Sequence, residues 1–533
     1  MICAALWPDP ADPLCPQKFR DDACQLINEF ARKAATDKEL AGHCSHENWV
    51  KWQTLANKGG LDSGKEEHWN ILRNALLDFI ADFADWDNST VEEYLETSRA
   101  LTQSAHEAFG GLPGTRPLVV DPFAGGGSIP LEALRVGADA FASDLNPVAV
   151  VLNKVVLEYI PRYGQRLANE VRQWGAKLTG NAQEQLSSVY PENDQGVRPI
   201  AYLWARTILC EGPLCGATVP LVRSVELDRK TGVNFSFEPK GKDIQIRFLG
   251  REKGFGPTIR GGAAVCPVCH YVTPSRNVRS QLASRRGGSH DARLICCVYP
   301  TEGRREFRLP TPTDALAVKQ LAINRESGNS SDFRGKGLSI PDAVINPVRP
   351  SANARGLSPV TKIGINKFAD LFSPRQLMAL TILSEEIGSI YTELSRSAGP
   401  GENSDFAAAV CACLSCAVDR LADYNNSLCT WVSSGGFIGH AFTKQALSNV
   451  WDFAEVYPFS SVTGSFQGAI EWVCRVIEAN SFDACSSASV IQADARSLTL
   501  PEASADAFIT DPPYYAEIPY EVATDRIPQL FCH

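Results

Sequence analysis

The sequence predicts an α/β fold in which a parallel sheet is split by a large insertion. A short apolar strand at 118–120 runs into a glycine-rich turn and then into a helical pattern. A second strand and a second helix follow at once, which is the opening of a doubly wound sheet. Two further short strands of the same character appear only after residue 488. The interval between the first two strands and these later strands is too long for a loop, so we expect it to contain folded insertions.

Composition limits the class of protein. The chain has 533 residues, 44% hydrophobic and 21% charged, which is typical of a globular protein with roughly three domains. No run of about 18 apolar residues predicts a membrane span, and the start MICAALWPDP lacks the basic segment of an export signal. The 17 cysteines are therefore expected to be reduced, and we expect a cytoplasmic protein with no membrane partner.

The elements follow in order. Residues 1–110 form a helical region, because apolar residues recur at three- and four-residue spacing in EEHWNILRNALLDFIADFADW. Residues 111–165 form the first part of the core, with Ser128 predicted to cap one helix and Gly137 to end it. Asp139 to Ser143 is the second strand, and Asn146 caps the next helix.

The remaining chain divides by composition. We predict an insertion with paired cysteines and basic residues at 166–310 and a loop-rich linker at 311–365. A helical region follows at 366–480, and the second part of the core at 481–533. In the helical region, the cysteines of VCACLSC (Cys411, Cys413 and Cys416) are predicted to be small buried side chains instead of metal ligands.

The glycine-rich turn from Asp121 to Gly127 is a candidate ligand loop. Glycines let the backbone pass close to a ligand, and the following helix presents unpaired N–H groups. Asp144 ends the next strand, where a carboxylate can accept both hydroxyls of a ribose. Asp494 ends a later strand and could hold the adenine end of the same ligand. The alternatives are a tight turn needed only for packing and, for Asp494, an ordinary surface carboxylate.

A strand at 505–510 runs into Asp511, Pro512, Pro513 and Tyr514. An exocyclic amine on a base is a poor nucleophile, since its lone pair is delocalised into the ring. The Asp511 carboxylate and the Pro512 carbonyl could each accept one N–H, held in place by the rigid prolines. Tyr514 could stack on a base swung out of its duplex. Alone, the tetrapeptide could equally be a turn after a strand.

Two cysteine pairs, Cys210 with Cys215 and Cys266 with Cys269, have the arrangement of two zinc knuckles. Four thiolates would give a structural zinc site without an open position for catalysis, the alternative being chance spacing. The net charge of the chain is −10, yet residues 250–309 carry eleven Lys and Arg against four Asp and Glu, a local excess of seven. A basic patch on an acidic protein can hold DNA. Its arginines either contact phosphates or form a solvated loop: Arg276, Arg279, Arg285, Arg286 and Arg293.

The motifs DPFAGGGS, SDLNP and TDPPYY resemble those of the adenine-specific DNA methylases that carry an internal zinc ribbon. Stretches 368–381, 419–431 and 445–459 are also similar to that family. The resemblance implies a Rossmann-like S-adenosylmethionine methyltransferase sheet and transfer of a methyl group to adenine N6 in double-stranded DNA. By this resemblance, Phe123, Gly125 and Gly127 would contact the methionine part of the cofactor. Asp144 would contact the ribose. The target base would be contacted by Asp511, Pro512 and Tyr514. Asp419, Arg420, Asp423 and Tyr424 then either face the substrate or form a buried ion-pair network.

Other substrates remain open. The same acceptor geometry suits cytosine N4, RNA or a protein amide, and a non-catalytic DNA-binding remnant or subunit is the alternative from another class. Strands that complete such a sheet would follow residue 520, so we expect a truncated member or half of a split enzyme, with an incomplete sheet. Its partner would be a downstream-encoded polypeptide or other restriction and defence subunits.

Overall fold

A computed structural model describes residues 1–301, 304–314, 343–345, 347, 359–396, 402–442, 447–481 and 487–512. Two compact units are present: the first comprises Met1–Gly164 with Asn480–Pro512, and the second contains Gln165–Ala479. The division predicted at residue 110 lies inside the first unit. None of the helices in the described ranges has the length and apolar character that crossing a membrane requires.

The helices are α1 (Ile2–Leu6), α2 (Gln17–Thr36), α3 (Lys38–Gly42), α4 (His46–Asn57), α5 (Glu66–Phe83), α6 (Glu92–Ala108), α7 (Ser128–Arg135), α8 (Pro147–Asn153), α9 (Ile160–Gln185), α10 (Ser275–Ala283), α11 (Pro374–Arg396), α12 (Glu402–Tyr424) and α13 (Phe466–Ala479). A π-helical turn, Lys154–Tyr159, joins α8 to α9.

The strands are β1 (Leu118–Asp121), β2 (Asp139–Asp144), β3 (Ala201–Ala205), β4 (Thr207–Leu209), β5 (Thr218–Pro220), β6 (Glu226–Asp228), β7 (Val233–Lys240), β8 (Asp243–Leu249), β9 (Ile259–Arg260), β10 (Ala263–Val265), β11 (Val272–Thr273), β12 (Arg293–Thr301), β13 (Arg304–Arg308), β14 (Thr430–Val432), β15 (Phe437–Gly439), β16 (Asp452–Val456), β17 (Ser489–Gln492) and β18 (Ala507–Phe508).

The first unit contains a parallel four-stranded sheet in the order β17-β2-β1-β18. Its register pairs Val119 with Ala140 on one side and with Ala507 on the other. The sheet and the amino-terminal helices share one hydrophobic core, in which Phe79 and Tyr94 belong to the same cluster as Val119. Because all four strands run the same way, their carboxyl ends lie along one edge of the sheet.

The helix boundaries beside this sheet follow two of the three predicted signals. Asn146 caps α8 as predicted, since its Oδ1 accepts a hydrogen bond from the Val148 N–H at 3.0 Å, and Pro147 occupies the first turn. Gly137 ends the α7 segment with φ +89° and gives the expected left-handed turn. The predicted Ser128 cap is wrong: Ser128 is the first helical residue, and Gly127 takes the cap position with no capping side chain.

The second unit is built on an antiparallel sheet in the order β13-β12-β3-β16. The same unit contains smaller sheets, formed by β4-β5, by β6-β7-β8, by β9-β10-β11 and by β14-β15. The helices predicted in 366–480 are present, but the same region also supplies β14, β15 and β16, which the periodicity did not indicate. The short stretch DFAEV is the edge strand β16, paired with β3, and its helical or extended state depends on this neighbour.

Candidate functional site

The carboxyl edge of the parallel sheet gathers several of the predicted residues. β1 ends at Asp121, β2 ends at Asp144, and Asp511 follows β18 by three residues. Asp121 is 2% exposed, and its Oδ1 accepts a hydrogen bond from the Phe123 N–H at 3.1 Å. The tertiary structure therefore brings together carboxylates that are almost 400 residues apart in the chain.

The electrostatics of Asp121 reflect this arrangement. Burial raises its pKa, and hydrogen bonds from the Phe123 N–H and the Thr510 side chain lower it. The negative charges of Asp144 and Asp511 raise it further. All three carboxylates thus lie near enough to influence one another, so a ligand with a positive charge would be favoured at this edge.

The glycine-rich loop wraps around Asp144. The Asp144 Oδ2 accepts from the Gly125 N–H at 2.9 Å, and its Oδ1 accepts from the Asn146 N–H at 2.8 Å. Each carboxylate oxygen has a second lone pair, so Asp144 can still accept hydroxyl groups from a ligand. These bonds hold the carboxylate in one orientation at the end of β2.

The glycines have two different requirements. Gly127 has φ +81°, and a Cβ there would lie 2.2 Å from Oδ1 of Asn153, so packing alone demands glycine. Gly125 has φ +49°, and a Cβ there would meet only the Phe123 carbonyl at 3.9 Å. Phe123 itself is 40% exposed beside the loop. The packing alternative therefore accounts for Gly127, while the backbone at Gly125 stays accessible.

Two residues that sequence reasoning missed support the loop. Asn153 is buried, and its Nδ2 donates to the carbonyls of Gly125 at 2.9 Å and Ala149 at 2.7 Å. Glu158 is also buried, and its Oε1 accepts from the Val490 N–H at 2.6 Å, which ties β17 to the π-helical turn. The signal in the sequence was the presence of polar residues, Asn153 and Glu158 among them, inside the apolar run VAVVLNKVVLEYI.

Asp494 lies two residues after β17, near the same edge, because the adjacent Ala493 N–H donates to the Asp144 carbonyl at 3.2 Å. Its carboxylate, however, forms an ion pair with Arg496 at 2.5 Å. The Arg496 guanidinium lowers the pKa of Asp494 to about 2. This local pair was not predicted, and it gives Asp494 a partner within its own turn.

The Asp-Pro-Pro-Tyr loop lies at the limit of the described chain. Asp511 and Pro512 are exposed. Pro513 and Tyr514, the other two predicted catalytic residues, lie outside the described residues.

Cys210, Cys215, Cys266 and Cys269 form the second candidate site. Their sulfur atoms all lie within 4.8 Å of one another, with Cys210 and Cys269 at 3.5 Å and Cys215 and Cys266 at 3.8 Å. These separations exceed the 2.05 Å of a disulfide, and they match the edge of a tetrahedron with metal–sulfur bonds of about 2.3 Å. The four cysteines can therefore hold one metal ion.

Two hairpins build this site. β4 and β5 flank the first cysteine pair, and β10 and β11 flank the second. In CEGPLC, four residues separate Cys210 from Cys215, compared with two between Cys266 and Cys269. The longer spacing is accommodated at Leu214, which has φ +61° and is 96% exposed. The extra residues thus bulge into solvent while the two sulfurs keep their positions.

A buried polar cluster connects two of the stretches that resemble the methylase family. Arg375 and Glu455 are both fully buried, with Arg375 Nε 2.8 Å from Glu455 Oε1. Tyr190 Oη donates to Oε1 at 3.2 Å, and Trp204 Nε1 donates to Oε2 at 2.8 Å. A carboxylate enclosed and bonded in this way is a structural element of the second unit.

The residues of DRLADYN separate into different roles. Asp423 accepts from His440 Nδ1 at 2.9 Å and from the Phe442 N–H at 2.8 Å, so it fixes the 440–442 segment. Arg420 lies over the rings of Tyr424 and Trp472. Burial raises the pKa of Asp419 to about 7, and its Oδ1 is enclosed without a hydrogen-bond partner among the described residues. These contacts are separate and do not form the single ion-pair network that the sequence allowed.

No protein-family model, curated protein or solved structure matches this chain. The methylase resemblance therefore rests on its motifs.

Proposed function

We propose that this chain is an S-adenosylmethionine-dependent methyltransferase with a Rossmann-like sheet, acting on the exocyclic N6 amine of adenine in DNA. The observation that carries the proposal is the carboxyl edge of the parallel sheet, where the 121–127 loop, Asp144 and Asp511 meet. Ligands of doubly wound sheets bind at this edge.

The loop side of this edge suits a cofactor with a ribose and a cationic centre. Asp144 is held by two main-chain N–H groups, so it can accept both ribose hydroxyls without moving. The exposed ring of Phe123 and the accessible backbone at Gly125 would border the methionine part. The neighbouring negative charges of Asp121 and Asp144 favour a sulfonium, whose methyl group is the one transferred.

The Asp511 side of the edge suits the amine that receives the methyl group. Its carboxylate accepts one N–H and the Pro512 carbonyl accepts the other, which localises the nitrogen lone pair. A nitrogen–carbon bond then forms as the sulfur–carbon bond breaks in line, and the amine loses a proton to Asp511 or to water. Tyr514 is proposed to stack on the base, which must leave the duplex to reach this edge.

The cysteine site of the second unit is proposed to hold structural zinc. Four thiolates in a tetrahedron are a closed ligand set, and such sites stabilise a fold instead of activating a substrate. The same ion would join the two hairpins that have little core of their own.

Transfer of labelled methyl from S-adenosylmethionine to unmethylated bacterial DNA tests the proposal. We expect incorporation into N6-methyladenine with the full chain, and a loss of at least about 100-fold in Asp511→Ala, because both the acceptor and its geometry are removed. Cofactor affinity, measured by calorimetry, should stay nearly unchanged in this variant.

Each other result has a definite meaning. Full activity in Asp511→Ala would refute the catalytic role. Methyl found in N4-methylcytosine, RNA or a protein glutamine in place of adenine would refute the substrate and keep the reaction type. If the full chain neither binds S-adenosylmethionine nor transfers methyl, the methyltransferase proposal is wrong.

A further inference from the structure

We infer that the exposed arginine face of α10, together with Arg260, is a surface that binds the phosphate backbone of DNA, and that the cysteine site positions it. The identity of the nucleic acid as DNA rests on the proposed function. The existence of a phosphate-binding surface does not, because it follows from the charge and packing of the second unit.

The five arginines of the basic stretch divide into internal and external residues. Arg285 pairs with Asp291 at 2.5 Å and also donates to the Thr207 carbonyl. Arg293 is half-buried in β12, and burial lowers its pKa. Both therefore serve the fold, whereas Arg286 is exposed in the turn shortly after α10.

Arg276 and Arg279 are different, because they lie three residues apart on α10 and both are exposed. The opposite side of this helix is buried through Val278 and Leu282. Within the described ranges, neither arginine has an ion pair or a hydrogen bond with any side chain. Two guanidinium groups are thus held on one rigid face with all of their donors available.

Arg260 extends this face. It is exposed at the end of β9, and the Gly261–Gly262 turn that follows it packs beside α10. A Cβ placed on Gly262 would lie 3.4 Å from the Cβ of Ser275, the first residue of the helix. The hairpin that carries Arg260 is therefore adjacent to the start of α10.

The cysteine site holds α10 in place from both sides. On one side, Gln281 exchanges two hydrogen bonds with the backbone of Leu209, the residue before Cys210, at 2.8 and 3.1 Å. Asn277 and Gln281 also donate to Glu211, at 2.7 and 3.1 Å, so this acidic side chain is occupied by amides. On the other side, the helix begins directly after β11, the strand that follows Cys269.

Charge complementarity selects the ligand. Among the described residues, the guanidinium groups of Arg260, Arg276 and Arg279 have no ion-pair partner. Three such groups on one surface suit a regularly spaced polyanion. Such contacts fix position and add affinity without reading sequence, and each one releases counterions when it forms.

The test is the salt dependence of binding by the full zinc-loaded chain to a fluorescein-labelled DNA duplex of mixed sequence. In Arg276→Gln/Arg279→Gln we expect the slope of log K against log [KCl] to become shallower by about 0.9 for each arginine that contacts a phosphate. Arg276→Lys/Arg279→Lys keeps the charge and should keep most of the slope.

A matched control removes two charges elsewhere in the same unit. Arg247→Gln/Arg475→Gln removes exposed arginines that already pair with Glu238 and Glu471, so the slope should hardly change. An equal slope in the α10 variant, its control and the wild type would overturn the inference. So would an RNA hairpin that binds more tightly than DNA with the same loss of slope, since the surface would then serve RNA.

The two proposals can fail separately. A chain with no methyl transfer and no cofactor binding, but with the expected loss of slope, would refute the methyltransferase and keep the phosphate-binding surface. If Asp511→Ala abolishes methyl transfer but the α10 substitutions leave the salt dependence of DNA binding unchanged, the methyltransferase proposal is kept and the phosphate-binding surface is refuted.

Discussion

In the first unit, Asp144 and Asp511 lie at the carboxyl edge of a parallel sheet, whereas in the second unit Glu455 is a buried residue of strand β16 in an antiparallel sheet. Glu455 is fully buried, and four hydrogen bonds from Arg375, Tyr190 and Trp204 occupy its carboxylate. Asp144 accepts one hydrogen bond from the Gly125 N–H and one from the Asn146 N–H, and each of its oxygens keeps a second lone pair.

Under the proposed function, this difference assigns the chemistry to the first unit and a stabilising role to Glu455 in the second. A carboxylate whose lone pairs are all used by its own chain cannot recognise a ligand, and removing it leaves a buried charge unpaired. A carboxylate fixed by the backbone at a sheet edge is preorganised and still available. The proposed zinc would give the cysteine site a structural role as well, because its four sulfur atoms lie within 4.8 Å of one another.

Of the changes considered, removal of the metal should have the largest effect on the stability of the protein. We expect about one zinc per chain, and Cys266→Ser should lose it together with amide protection in β4, β5, β10 and β11. Zinc binding in such small sites is worth about 10 kcal/mol or more and is coupled to folding. Metal analysis and hydrogen exchange measure both effects.

Cys413→Ala is the matched control for the metal. This cysteine is fully buried in α12, away from the four ligands, so the variant should keep its zinc. If freshly purified wild-type protein contains no zinc, the proposal of a structural zinc site is wrong.

Glu455→Ala should have the next largest effect. Arg375 would remain buried without its counterion, which costs about 3–5 kcal/mol of unfolding free energy. Denaturant titration measures the change. Glu238→Ala breaks an exposed pair with Arg247 at 3.1 Å and should cost less than about 1 kcal/mol. Similar costs in the two variants would remove the distinction between sealed and exposed carboxylates.

Asp144→Ala should act on binding. A hydrogen bond to an ionised group contributes about 1.5–3 kcal/mol, so affinity for S-adenosylmethionine should fall roughly 10- to 100-fold. Asp494→Ala should have a smaller effect, because that carboxylate is paired with Arg496. Calorimetry compares the two variants. A greater loss in Asp494→Ala would reverse the roles assigned to the two residues.

Asp419→Asn should have the smallest effect and should depend on pH. The folded pKa of Asp419 is raised to about 7 by burial, above the value near 4 expected in the unfolded chain. The proton is therefore bound more tightly in the folded state, and stability decreases as pH rises from about 4 to about 7. Asparagine removes this loss.

We expect the Asp419→Asn variant to match the wild type at pH 4 and to exceed it by about 1–2 kcal/mol at pH 8, since the side chain is only half-buried. Denaturant titrations at both pH values check the sign. A variant that is less stable at pH 8 would show that the charged form of Asp419 has a partner.

Much of the first unit was predictable because its signals are local. Asn146, Gly137 and the strands at 118–121 and 139–144 are encoded by capping chemistry and short apolar runs. The predicted Ser128 cap was wrong, because the helix begins one residue earlier than expected and Gly127 occupies the cap position. β16 was missed because a short apolar run becomes a strand only when β3 is beside it.

By itself, the sequence determined the α/β character of the core, the glycine-rich loop with Asp144, and the spacing within each of the two cysteine pairs, because each of these signals lies in a short stretch of the chain. Only the tertiary structure decided which polar groups stay available. Glu455 is neutralised by Arg375, 80 residues away, and α10 exposes two arginines while two others turn inward. A side chain's lone pairs and charges acquire a role only when the fold determines what surrounds them.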